Sequence, residues 1–153
     1  MKDQQDKLKI VTDPTILAQL SVRVSLEDIK SNFYASLIAD MRAVLVETHG
    51  IGLAAIQLGV PIRLVVTHVG SEYIAMFNPE ILSSKGLSTM KEGCLSIPGK
   101  RFVVQRSKFV KYTYLDERGN ACKAKSQARA SHVVQHEIDH LNGVLISACG
   151  DER

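Results

Sequence analysis

The sequence predicts an α+β domain of mostly antiparallel strands packed around a C-terminal helix, with a long helix near the N-terminus. Three observations carry that expectation. A helical period occupies the first third, short β-branched segments punctuated by Gly, Pro and Asn fill the middle, and a second helical period lies near the end. The 153 residues are 45% hydrophobic and 23% charged. Such a balance fits one globular domain over 1–153, with enough core to fold without disulfide staples.

The first helix is expected over about 26–48. Ser25 offers an N-cap with Asp28 three residues on, and Ile29, Phe33, Leu37, Met41 and Leu45 follow at i, i+4 spacing up to Gly50. Strands are expected at 62–67 and 73–77, set off by Pro61 and by Asn78-Pro79, and again at 102–104 and 109–115. Asp116-Glu117-Arg118-Gly119-Asn120 has the composition of a hairpin turn, so a partner strand should lie near 121–124. The last helix is expected over 128–141, with Val133, Val134, Ile138 and Leu141 on its apolar side and Asn142-Gly143 as its stop.

Composition narrows the function classes. The polar start MKDQQDKLKIVTDP has no apolar core of a secretory signal, and no stretch is apolar enough to cross a bilayer. A cytoplasmic protein without membrane contact is expected. Three cysteines, Cys94, Cys122 and Cys149, are an odd set that suits thiolate or metal chemistry better than a disulfide framework. The net charge of +3, with clusters at Lys100, Arg101, Arg106, Lys108 and Lys111 and at Lys123, Lys125 and Arg129, falls short of a nucleic-acid footprint and implies a solvated face. Direct DNA binding is not expected.

The chemistry concentrates in His136-Glu137-Ile138-Asp139-His140, an HExxH motif on the last helix. Residues four apart share a helix face, so His136 and His140 can converge on one ion while Glu137 stands beside it to handle protons. A catalytic ion usually takes a third protein ligand and keeps one position open. No His follows His140. His132 lies one turn before His136, but eight residues along a helix is a rise of roughly 12 Å, too far from His140 for one ion. It is expected to form pocket wall or surface.

Two upstream segments offer more. Cys94 sits in Glu92-Gly93-Cys94-Leu95-Ser96-Ile97-Pro98-Gly99, where Gly and Pro argue for an irregular backbone rather than a strand. Gly50-Ile51-Gly52-Leu53-Ala54-Ala55-Ile56-Gln57 is a loop leaving the first helix, small enough for close backbone approach, with Gln57 as its one long hydrogen-bonding side chain. Taken singly, a buried structural Cys is as good a reading of Cys94 as a ligand, and a helix exit followed by tight packing is the better reading of the loop.

The three segments GIGLAAIQ, EGCLS and QHEIDHLNG, together with the opening IVTDPTIL, resemble the peptide deformylase family in order and separation across nearly the whole chain. The resemblance implies a metal-dependent hydrolase that removes the N-formyl group from the N-terminal methionine of new polypeptides and releases formate. Carried over by motif position, it implies Cys94, His136 and His140 as ligands and Glu137 as the acid–base residue. Gln57 and the backbone N–H of Leu95 would face the oxyanion. Ile51, Gly52 and Gly93 would line the peptide, and Arg101 would contact its backbone. The implied cofactor is one divalent ion, Fe²⁺ in the cell, with Zn²⁺, Ni²⁺ or Co²⁺ as replacements.

N-formylmethionyl nascent peptides are the implied partners. Three departures from the family pattern qualify this picture. Ile56 stands where Pro is frequent. His132 lies near the helix face that shapes the methionine pocket. The ending SACGDER lacks an extended C-terminal helix, so only weak or transient ribosome contact is expected. Two rivals differ in ligands: a zincin-like endopeptidase needs a third His or Glu, and a closed structural metal site needs Cys122 or Cys149 as a fourth.

Overall fold

Asn78 shows how the layers are tied together. Its backbone is left-handed, with φ of 49°, and its side chain spans to the backbone N–H and carbonyl of Val24, both at 2.9 Å. A computed structural model describes residues 9–153; the polar stretch read at 1–8 lies outside them. Helices α1 (Pro14–Leu17), α2 (Leu26–Lys30) and α3 (Ala35–Thr48) come first. Strands β1 (Gly52–Ala54), β2 (Leu64–Val69), β3 (Glu72–Cys94), β4 (Ile97–Leu115) and β5 (Ala121–Gln127) follow. Helix α4 (Ala128–Leu141) and strand β6 (Gly150–Glu152) close the chain.

The sheet is antiparallel in the order β1-β2-β3-β4-β5, with β6 beside Phe102–Val104 on the same edge of β4 that β5 pairs further along. This is an α+β fold. Strand β2 shows why its centre is uniformly apolar. Leu64 and Val66 face a cluster containing Ile38, Met41 and Leu45 of α3, and Val65 faces one containing Val134, Ile138 and Leu141 of α4. Alternate side chains thus enter two separate cores. Each fully buried aliphatic side chain contributes roughly 1.5–3 kcal/mol.

Several sequence expectations need correction. The helix expected over 26–48 is two helices, because Ser31–Tyr34 form a turn in which Asn32 takes a φ of 58°. Phe33, placed on the apolar stripe by spacing, is 70% exposed as a result. The strands expected at 102–104 and 109–115 are one strand, β4. The segment 92–99 is the end of the β3–β4 hairpin, with Cys94 paired to Ile97 across the Leu95–Ser96 turn; the irregularity expected there is confined to a register shift between Gly93 and Cys94 and a left-handed Gly99. Pairing supplies the backbone hydrogen bonds that the polar local sequence does not advertise. Gly52–Ala54, read as loop, is an edge strand followed by a 3-10 turn at Ala55–Leu58.

Candidate metal centre

Helix α4 delivers the first half of the site. It ends at Leu141, and Gly143 beyond it has a φ of 71° with the Ala18 carbonyl against the place a Cβ would occupy. His136 and His140 lie on one face with ring centroids 5.0 Å apart. The tip of β3 delivers the second half. The ligating atoms of Cys94, His136 and His140 all lie within 4.8 Å of one another, and Cys94 Sγ is 3.5 Å from His140 Nε2. Cys122 and Cys149 are elsewhere: their sulfurs stand near Asp116 and Asp139, at 4.0 and 3.8 Å.

Two imidazoles and one thiolate form a half-shell suited to a divalent ion with a position left over. Burial, then the charges of His136 and Arg106, lower the His140 pKa to about 3, so its imidazole is neutral and free to donate a lone pair. Burial disfavours a charged His136, but hydrogen bonds to Cys94 and Glu92 and the charge of Glu137 outweigh it and raise its pKa to about 10. An ion in the same cluster competes for that proton's place.

Behind the ligands stands a buried charge network that the motifs did not announce. Glu92 accepts from Arg106 Nε at 2.8 Å, and its oxygens lie 2.6 Å from His132 Nδ1 and 3.0 Å from His136 Nδ1. Arg106 also donates to Asp139 at 2.7 Å. Burial opposes ionisation of Glu92, but these hydrogen bonds prevail and hold its pKa down to about 2. A carboxylate on Nδ1 turns His136 so that Nε2 faces the cluster.

Arg106, read from sequence as part of a solvated basic face, is 8% exposed. A signal existed: Phe102, Val104 and Arg106 are alternate residues of one strand, and all three are buried. His132 is pocket wall rather than surface, since it is buried and lines the central cavity.

That cavity has a volume of about 880 Å³ and reaches the cluster past Gly52, Gly93, Cys94, His136 and Glu137. Glu137 is buried, and burial raises its pKa to about 7 against the opposing charges of His136 and Arg106. A Cβ on Gly52 would lie 2.5 Å from Glu137 Oε1, so the glycine is required by the carboxylate. Gln57 is 1% exposed; its Oε1 accepts from Ala54 N–H at 3.0 Å, which points Nε2 towards Cys94 Sγ at 3.7 Å and Ser96 Oγ at 3.1 Å. Leu95 lies in the adjoining turn, and Ile51, Gly93 and Arg101 also line the cavity. The structure therefore brings every sequence-derived candidate except His140 to the cavity wall, with His140 behind it.

Known proteins share this fold and sequence. A family model described as polypeptide deformylase matches residues 7–152. The peptide deformylase of Desulfotalea psychrophila is 38% identical over 145 residues, covering 90% of this chain and 84% of its own. That of Agathobacter rectalis is 43% identical over 110 residues, covering 72% and 70%. Among solved structures, a class I type b peptide deformylase from Acinetobacter baumannii bound to Met-Ala-Ser superposes with a TM-score of 0.85 at 32% identity, covering 92% of this chain and 96% of that one. The enzyme from Thermotoga maritima gives 0.86 at 34%, covering 94% and 96%.

An α+β fold with this Cys/His/His cluster, whose donor atoms lie close enough to hold a metal ion, and a buried carboxylate beside it fits the class of metal-dependent hydrolases. The chain belongs to the polypeptide deformylase family, and its reaction is hydrolysis of the N-formyl group from N-terminal formyl-methionine, with release of formate.

Proposed function

We propose that residues 1–153 form one catalytic domain in which Cys94, His136 and His140 hold a single divalent ion and Glu137 moves the protons of deformylation. The convergence of those three ligand atoms within 4.8 Å of one another, beside the cavity that Cys94, His136 and Glu137 line, carries this reading. Bound there, a divalent ion would supply Lewis acidity, lowering the pKa of a water and polarising the formyl oxygen. Glu137 takes a proton from the attacking water and returns it to the leaving amine, a role suited to a carboxyl whose pKa stands at about 7.

Gln57 Nε2 and the Leu95 N–H donate to the oxygen that becomes negative as the formyl carbon turns tetrahedral. Because Ala54 already fixes the Gln57 amide, little reorganisation accompanies the reaction. The peptide lies along Ile51 and Gly52, at the open edge of β1, and against Gly93, with Arg101 on its backbone. Helix α4, with the sheet packed around it, is the rigid element that keeps both His ligands and Glu137 in register.

Fe²⁺ is the proposed ion, with Zn²⁺, Ni²⁺ or Co²⁺ able to replace it, since a mixed N/S set accepts several first-row metals. The proposed setting is the cytoplasm, with formyl-methionyl nascent chains as substrates and weak or transient ribosome contact. No DNA or membrane partner is proposed; no helix among the described residues is long and apolar enough to cross a membrane. Formate release from formyl-Met-Ala-Ser under anaerobic conditions, with metal analysis, tests the reading. Metal-loaded protein that releases no formate, or that cleaves unblocked peptides instead, would overturn it.

A further inference from the structure

The cavity has two electrostatic zones. Its deep carboxylates are committed: Glu92 to Arg106 and the histidines, Glu137 to the reaction. Its outer wall carries Lys91, Lys100, Arg101 and Arg129, all exposed and all lining the same cavity. Lys100 reaches Glu152 at 3.6 Å, with both side chains more than half exposed. Lys91, Arg101 and Arg129 have no acidic partner among the described residues, whereas Arg23, Arg42 and Arg106 each do. Arg101 folds across the hairpin, its Nε 3.8 Å from where a Gly93 Cβ would stand.

Arg129 occupies the first turn of the 14-residue α4, and that turn contains no acidic residue. A carboxylate is the group that suits a helix N-terminus, and a guanidinium there opposes the dipole. The placement therefore serves something other than the helix. Gln127, the N-cap residue, makes no side-chain capping bond, and Arg129 adds its positive charge at the mouth through which a peptide must extend.

We propose that this cationic mouth selects formyl-methionyl peptides with acidic residues just after the methionine. The inference rests on the deformylase reading of the site and adds a substrate class to it. A nucleic acid would follow an extended track of charge, whereas these four cations share the wall of one cavity that also contains Cys94 and Glu137. Exposed pairs are individually weak and screened over about 10 Å at 0.1 M salt, so the preference should be graded and salt-sensitive.

The test compares kcat/KM of the Fe²⁺- or Ni²⁺-loaded enzyme for formyl-Met-Ala-Ser, formyl-Met-Asp-Glu and formyl-Met-Lys-Lys at low and high salt. The acidic peptide should exceed the neutral one by about threefold to tenfold at low salt, mainly through KM, with the basic one lowest. High salt should compress all three together. In the double variant Lys91→Gln with Arg129→Gln, the acidic-to-neutral ratio should fall towards one while the metal content stays that of the parent. Equal kcat/KM for the three peptides in the unmodified enzyme would overturn the proposal and leave the deformylase reading intact. Equal values together with inhibition by a short RNA would assign the mouth to nucleic acid instead. No formate from any of them would remove both readings.

Discussion

Arg106 and Arg101 stand on the same strand, and their surroundings differ in every respect. Arg106 is buried between Glu92 and Asp139, and burial, though it opposes the charge, is outweighed by those two carboxylates, which raise its pKa well above the usual range. Arg101 is exposed at the cavity mouth without an acidic partner among the described residues. One arginine builds the closed back of the site and the other the open front. A buried pair is costly to desolvate and stabilises little by itself, but once made it cannot lose one member cheaply. Charge at the back therefore fixes geometry, and charge at the front is left to act on the substrate.

That contrast breaks first at the centre. Glu137→Gln keeps the shape and removes the proton carrier, so kcat should fall by about 10²–10⁴ with metal content and melting temperature unchanged. Steady-state kinetics with metal analysis checks it, and near-parental turnover would remove Glu137 from the proposed role. Gln57→Ala should follow, with a loss of about 10²–10³ in kcat from one missing oxyanion donor and metal still bound. Loss of metal in that variant would move Gln57 from the front of the site to the back, as a support for Cys94, which its 3.7 Å approach to Sγ makes a definite alternative outcome.

The sequence made the front far more legible than the back. His136 and His140 needed only helical spacing, and the helix containing them begins and ends where period and Asn142-Gly143 put it. Cys94 and Gln57 entered through a resemblance of motifs, because their meeting depends on β3 and on the Ala55–Leu58 turn reaching one place from distant parts of the chain. The Glu92–Arg106–Asp139 network was illegible for the same reason, made worse by a rule that reads charge as surface. Arg106 follows the period-2 burial of Phe102 and Val104, but a cation at an inward position looks like an exception until its two carboxylates are in view. The merging of β4 and the long polar continuation of β3 beyond the strand expected at 73–77 were missed because strand pairing, rather than local composition, satisfies their backbones.

At the back, Arg106→Met should lower stability by about 3 kcal/mol, since it leaves the largely buried Glu92 without its cation and unpairs the half-buried Asp139. Metal affinity should weaken about 10–100-fold, because Glu92 would no longer be held to orient His136. Thermal unfolding and chelator competition measure the two effects. If turnover fell while both stayed at parental values, Arg106 would belong with the front of the site.

The smallest effect sets the scale for a carboxylate outside the network. Asp116, in the β4–β5 turn, accepts from the backbone N–H groups of Arg118 and Asn120, both at 2.9 Å. Its pKa is lowered, chiefly by the Asn120 N–H, although the group is open to water. A depressed carboxyl pKa gives stability that is present at neutral pH and fades as pH falls through the folded value. Asp116→Asn should therefore cost at most about 1 kcal/mol at pH 7 and nothing in more acid solution, with kcat and metal content unaffected. Urea titrations at the two pH values check the sign. A cost that instead grew on acidification would mean that the turn is held by something other than the ionised Asp116 side chain.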